Sequence, residues 1–234
     1  MGDWLTPVEW EALALSLKVA SWSVAVSLPL ALATAWALSR GRFPGRTLLN
    51  GVVHLPLILP PVVTGYLLLI AFGAQGPIGG VLQDVFGISV AFRWTGAVLA
   101  AAVMGFPLMV RAIRLSLDGV DRRMEAAART LGAGPATVFA TVTLPQLLPG
   151  MIAGAILSFA KGVGEFGATI TFVANIPGET RTLSIAIYSF LQTPSGDAAA
   201  IRLTVIAVAL SMAALVASEL LARRASRRIK GFDA

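Results

Sequence analysis

Five long apolar runs set the terms for this chain: 12–38, 48–72, 94–110, 150–172 and 203–221. Each approaches the roughly 20 largely apolar residues that a helix needs to cross a bilayer. In hydrocarbon every backbone amide and carbonyl must be bonded within the segment, so runs of this kind fold as helices. Composition agrees, with 56% hydrophobic residues, a mean hydropathy of +0.81 and only 13% charged residues, against roughly 25% in a soluble domain. The expectation is an all-α integral membrane protein with about five transmembrane helices, forming one domain over residues 1–234.

The distribution of Lys and Arg gives that bundle a direction. One side receives Arg40, Arg42, Arg46, Arg111, Arg114, Arg122, Arg123, Arg129, Arg223, Arg224, Arg227, Arg228 and Lys230, while the other receives only Arg93, Arg181 and Arg202. Basic residues stay cytoplasmic, which predicts an outside N-terminus and a cytoplasmic C-terminus. The opening MGDWLTPVEWE lacks the basic start of a signal peptide and is expected to be retained. The run at 181–192 has only about ten apolar residues, too few for a crossing, and reads as re-entrant or interfacial on the outer side. The net charge of +6 does not point to nucleic acid, because the basic residues are dispersed between apolar runs rather than gathered into a stripe.

Several chemistries are excluded. There is no cysteine, and a lone His54 is poor material for a metal centre. No G-x-x-x-x-G-K-[ST] stretch exists to hold nucleotide phosphates, so any use of ATP must come from a partner. No Ser-His-Asp set or close carboxylate pair supports a membrane-bound enzyme.

Irregular positions inside the runs are candidates for function. Pro56, Pro60 and Pro61 interrupt the second run beside Thr64 and Gly65. Prolines remove amide donors and crowd the preceding turn, which leaves two readings: a bent pore-lining or gating helix, or a packing kink. Gly105 and Pro107 raise the same choice in the third run. In the fourth, Lys161 and Glu165 stand four apart on one predicted helix face, followed by Gly167 and Thr169. Charges in hydrocarbon must face protein or a wet cavity, so the pair belongs to a subunit interface or translocation path, to a structural ion pair, or to direct substrate contact. Lys18 is expected to snorkel outward, His54 to be hydrogen-bonded near the membrane edge, and most of the tryptophans to mark the interfaces.

The stretch MEAAARTLGAGPATVFATVTLP, residues 124–145, leaves this pattern altogether. Asp121 is placed to cap a helix whose apolar face carries Met124, Ala127, Ala128 and Leu131. Gly132, Gly134 and Pro135 end or turn that helix, and Val138, Phe139 and Val142 start a second apolar face. A short helix, a bend and a second short helix are therefore expected on the cytoplasmic surface. Its small alanine face and solvated arginines suit either a partner-docking element or a plain loop helix.

Those residues resemble the coupling motif of ABC-importer permeases: EAA, three residues, G, nine residues, I, one residue, LP. Gly132 is followed by nine residues and then Val142, Thr143, Leu144 and Pro145, while the acid stands at Glu125, one position before the motif places it at Ala126. One residue is about 100° around a helix. Over nearly the whole chain, HLPLILPPVVTGYLLL, AAVMGFPLMVRAIRL, AARTLGAG, LPQLLPG and GEFGATITFVANIPGETRTL resemble the molybdate permeases of ABC importers, with sulfate permeases nearest among the alternatives.

The resemblance implies a type I (MetI-like) permease in the bacterial inner membrane, acting as a homodimer. Its partners would be two cytoplasmic ABC ATPase subunits, which bind the ATP and Mg, and a periplasmic or tethered molybdate-binding protein. The chain itself would hold no cofactor. Residues 121–145 would be the coupling element, with Arg123, Glu125, Ala126, Ala127, Arg129, Leu131, Gly132, Ala133, Val142, Leu144 and Pro145 meeting the ATPase. Pro60, Pro61, Thr64, Gly65, Lys161, Glu165, Gly167 and Thr169 are the candidate pore or interface residues. The competing class is a passive channel or proton-coupled carrier built on Lys161 and Glu165.

Overall fold

The computed structural model describes residues 4–230. Its first helix, α1 (Pro7–Arg40), starts with a capping box: Glu9 N donates to the Thr6 hydroxyl at 3.4 Å, and Thr6 N donates to Glu9 Oε2 at 2.6 Å. With 34 residues it is about 51 Å long, longer than the ~30 Å hydrocarbon layer. It overshoots the apolar run at both ends, and both overshoots carry ion pairs described below.

The second run is not one kinked helix. It folds as α2 (Arg46–Ile58) and α3 (Pro61–Phe72), bent by 117° with respect to each other. Leu59 precedes a proline and takes an extended conformation, φ −68° and ψ 144°, because the proline ring disfavours the helical region for its neighbour. Pro60 and Pro61 lack amide donors, yet Pro61 is well placed to open the next helix. The bend is thus a complete break.

After α4 (Pro77–Phe86), a short helix not anticipated between the second and third runs, α5 (Trp94–Asp118) passes through Gly105 and Pro107 without interruption. It is the central helix, with 56% of its membrane-length window buried against 11% for the last helix, α11 (Asp197–Lys230). Ala97, Ala100, Ala101 and Met104 pack near Val19 and Phe172, while Met109, Val110 and Ile113 meet Ala31, Ala35 and Leu38 of α1. Small residues dominate these contacts because helices in lipid gain from close packing rather than from expulsion of water.

At the end of α5 comes α6 (Arg122–Thr130), followed by α7 (Pro135–Val138), a π-helical turn (Phe139–Thr143) and α8 (Leu144–Val163). The last three run on as one helical unit of 29 residues, so the expected separate second short helix is instead the beginning of a span. That span ends early. Gly164–Phe166 break it before α9 (Gly167–Val173), correcting the expectation that Lys161 and Glu165 share one continuous helix face. α10 (Leu183–Leu191) has nine residues, too few to cross, and its first amide, Leu183 N, donates to Ser16 Oγ at 2.6 Å. Among the described residues four helices are long and apolar enough to span, or five if α2 and α3 form one broken span.

Candidate functional site

The segment 121–145 is built from local signals that the chain carries openly. Asp121 Oδ1 accepts from Arg123 N at 2.8 Å and caps α6. At the other end Gly132 has φ +89°, while its amide donates to Arg129 O at 3.0 Å and that of Ala133 to Ala128 O at 3.1 Å. This is the Schellman pattern, in which a left-handed residue lets the chain satisfy the last carbonyls of a helix. No atom lies within 4 Å of where a Gly132 Cβ would stand. Glycine is therefore required by backbone conformation and not by crowding.

On α6 one face is open and one is closed. Met124, Ala126, Ala127, Arg123 and Arg129 are exposed, and Leu131 just beyond is 88% exposed. Ala133, Val142, Leu144 and Pro145 are half-buried. Glu125 turns the opposite way and is buried: its Oε1 accepts from Arg40 Nη2 at 3.1 Å and from Thr143 Oγ1 at 2.9 Å. One carboxylate thus joins α6 to the end of α1 and to the π-helical turn. Trp36 supports the same junction, with its ring 5.3 Å from that of Phe139 in an edge-on arrangement.

Neighbouring polar contacts fasten this end of the bundle. Ser39 Oγ donates to Asp118, and Arg114 reaches Asn50 Oδ1 at 3.0 Å and Asp118 Oδ2 at 3.7 Å. His54 Nδ1 donates to Asn50 O at 2.8 Å within α2. Arg40 and Arg114 entered the sequence reading only as topology charges. Their partners lie 85 and 64 residues away, and no linear spacing announces such pairs.

The pore candidates meet where the two broken spans touch, since α3 packs against α9. A Cβ on Gly65 would stand 2.5 Å from Ala168 O, and one on Gly167 would stand 2.7 Å from Pro61 Cβ. Glycine permits the two breaks to come into contact. Thr64 and Thr169 are buried, and Thr64 Oγ1 has no hydrogen-bond partner. Lys161 Nζ lies 2.6 Å from Glu165 Oε2, while Glu165 Oε1 accepts from Ala168 N at 3.0 Å. Glu165 therefore bridges the gap: it holds the last turn of α8 through Lys161 and caps the start of α9.

Lys18 does lean toward the opposite end, with its ammonium 3.7 Å from the centre of the Trp94 ring. At that end Arg202 meets Glu9 Oε1 through Nη2 at 2.8 Å and Nε at 3.0 Å, closing α11 onto α1. Among the described residues no group of three or more His, Asp or Glu is placed to hold a metal.

Broken spans that meet at two glycines, with an exposed short helix anchored at one end, are features that a membrane transport subunit would use. The chain belongs to the family described as "Binding-protein-dependent transport system inner membrane component", which matches residues 27–227, and it is a multi-pass inner-membrane protein. Its fold is that of the type I ABC-importer permeases. The molybdenum transport system permease protein ModB of Escherichia coli K12 is 60% identical over 224 residues, covering 96% of this chain and 98% of the relative. ModB of Haemophilus influenzae is 54% identical over 222 residues, covering 95% and 97%. Among solved structures, a bacterial alginate ABC transporter in complex with its alginate-loaded periplasmic protein matches with a TM-score of 0.69 at 19% identity, covering 96% of this chain and 80% of that one. The resemblance to molybdate permeases therefore extends across nearly the whole sequence.

Proposed function

We propose that this chain is the permease subunit of an ATP-driven molybdate importer, pairing with a second copy to form the translocation path. Two cytoplasmic ATPase subunits bind ATP and Mg and dock on residues 121–145. A periplasmic or tethered binding protein delivers molybdate at the opposite end. The N-terminus lies outside and the C-terminus in the cytoplasm, as the asymmetry of basic residues favours.

One observation carries the mechanism: the exposed helix α6 is tied by a short series of bonds to the broken span α8–α9, against which α3 of the other broken span packs. Glu125 links α6 to Arg40 and Thr143, Thr143 lies in the helical unit that becomes α8, and the far end of α8 holds α9 through Lys161 and Glu165. When the ATPases close on ATP, α6 moves with them and α8 moves with α6. The contact between α9 and α3 then shifts, and the breaks at Leu59–Pro60 and Gly164–Phe166 supply the joints. Packed interfaces of this kind have discrete arrangements, so the response is a switch between two states.

The chain supplies position and no chemistry. A deep arginine would hold the molybdate dianion too firmly, since a path must bind weakly enough to release; the apolar runs contain none. Thr64, with its unpaired hydroxyl, is a candidate for brief contact as the gate changes state. Selectivity then rests mainly on the binding protein.

Proteoliposomes containing the permease, its cognate ATPase and the loaded binding protein test this reading. Uptake of molybdate should require ATP and ATPase together. Molybdate flux that persists at full rate without either one indicates a channel or carrier and rejects the proposal.

A further inference from the structure

A cleft of about 630 Å³ separates the basic end of α1 from the segment that returns into α8. Leu32, Ala33 and Trp36 form one wall, Phe139 lies opposite, and Glu125 and Arg129 contribute the polar side. The α1 wall belongs to the apolar run 12–38, so the cleft begins at membrane depth and reaches the surface beside α6. Its volume lies within the range of small-molecule sites, roughly 300–1,000 Å³.

The charge around it is unbalanced. The Arg129 side chain is exposed and has no ion pair or hydrogen bond among the described residues, and the buried Nε of Arg40 has no partner although Nη2 of the same guanidinium reaches Glu125. The cleft and its edge thus carry two guanidiniums against one carboxylate, which Arg40 alone engages. The wall opposite α1 includes the π-helical turn, a conformation that is rare and concentrated at functional sites.

We propose that this cleft holds an acyl chain of an anionic phospholipid, with the lipid phosphate against Arg129. An apolar cleft at the bilayer edge fills with hydrocarbon more readily than with water, and a phosphate supplies the negative charge that the rim lacks. A second copy of the chain is a poorer occupant, because its own corresponding end is crowded with arginines. A segment of a soluble partner would have to enter the membrane to reach Leu32 and Ala33. The lipid lies under α6 and against Phe139, which makes it a filler of the joint between α6 and α1. The inference does not depend on which substrate is carried.

The full-length protein, purified in detergent, is offered phosphatidylglycerol and phosphatidylcholine with identical acyl chains and examined by native mass spectrometry. The expected result is retention of one phosphatidylglycerol per chain, about fivefold over phosphatidylcholine, the factor associated with one basic residue at an anionic surface. Arg129→Gln, an exposed position, should reduce phosphatidylglycerol to the level of phosphatidylcholine, and Ala33→Trp should displace both. Equal retention of the two lipids by the unaltered protein overturns the proposal, as does retention unaffected by either variant. In native membranes, p-benzoylphenylalanine introduced at Leu32 should give an adduct with the mass of a phospholipid. An adduct with a second copy or with the ATPase identifies a different occupant and rejects the lipid.

Discussion

The two ends of α1 are both closed by a buried glutamate and an arginine, yet they join different kinds of element. At one end Glu9 ties α1 to α11, two helices of 34 residues each. At the other, Arg40 meets Glu125 on α6, a helix of nine residues whose remaining neighbours are largely exposed. Glu9 also closes its own capping box and is fully buried, so that junction has its partners within the chain. The α6 junction is anchored on one side and open on the other. The same chemistry serves as a static tie at the first end and as a link to an outward-facing surface at the second.

Stability of the isolated permease in detergent separates the two roles, and Glu9→Gln should have the largest effect. Breaking a buried pair costs about 3–5 kcal/mol, reduced here to about 2–3 kcal/mol because Arg202 keeps some access to water. Thermal or denaturant unfolding measures it. Uptake per folded molecule should stay near normal. A loss of ATP-driven uptake that exceeds the loss of folded protein would show that the far end of α1 is not merely a tie.

Glu125→Gln should cost less, about 1–2 kcal/mol, since Glu125 meets Arg40 through one bond where Glu9 meets Arg202 through two and also caps α1, and the amide oxygen can still accept from Thr143. Its transport effect should be the greater of the two: ATP hydrolysis continues while molybdate uptake falls. If uptake and stability decline in proportion for both variants, the contrast between the ends of α1 disappears.

How far this contrast was legible beforehand depends on the range of the forces involved. The long helices follow from runs of apolar residues, a local property, and Gly132 follows from a glycine placed after an amphipathic helix. The Asp121 cap is equally local. By contrast, the orientation of Glu125 is set by an arginine 85 residues earlier, and the arginines beside it in sequence suggest a surface acid. Lys161 and Glu165 show a subtler failure. A spacing of four is the signature of one helix face, but here the pair spans a helix end because Glu165 caps the next helix. The break at Leu59–Pro60 was visible as consecutive prolines, whereas its 117° amplitude depends on α9 receiving α3. Short α4 carries Ile78, Val81, Leu82, Val85 and Phe86 at helical spacing, but Pro77, Gly79 and Gly80 within it are loop signals that mask so short a helix.

Gly132→Ala sharpens the comparison within the α6 end itself. The cost should be about 1 kcal/mol, that of placing a Cβ in the left-handed region, with no clash added. Because the Schellman turn fixes the angle between α6 and the helix that becomes α8, uptake should fall further than stability. A variant with normal uptake and the expected loss of stability would mean that this angle does not matter to transport.

Leu131→Asp should disturb the fold least, within about 0.5 kcal/mol, and for that reason it isolates docking most cleanly. The side chain is 88% exposed, it belongs to none of the buried clusters, and its backbone amide bond to Ala127 O does not involve the replaced atoms. Nothing within the permease explains a change in function. If α6 meets an ATPase cleft, an apolar residue that projects this far loses its contact and a carboxylate must be desolvated there, so co-purification of the ATPase and ATP-driven uptake should both fall. Full retention of the ATPase by Leu131→Asp, with unaltered uptake, would leave α6 without a partner at its most exposed point. The asymmetry between the two ends of α1 would then be a matter of packing alone.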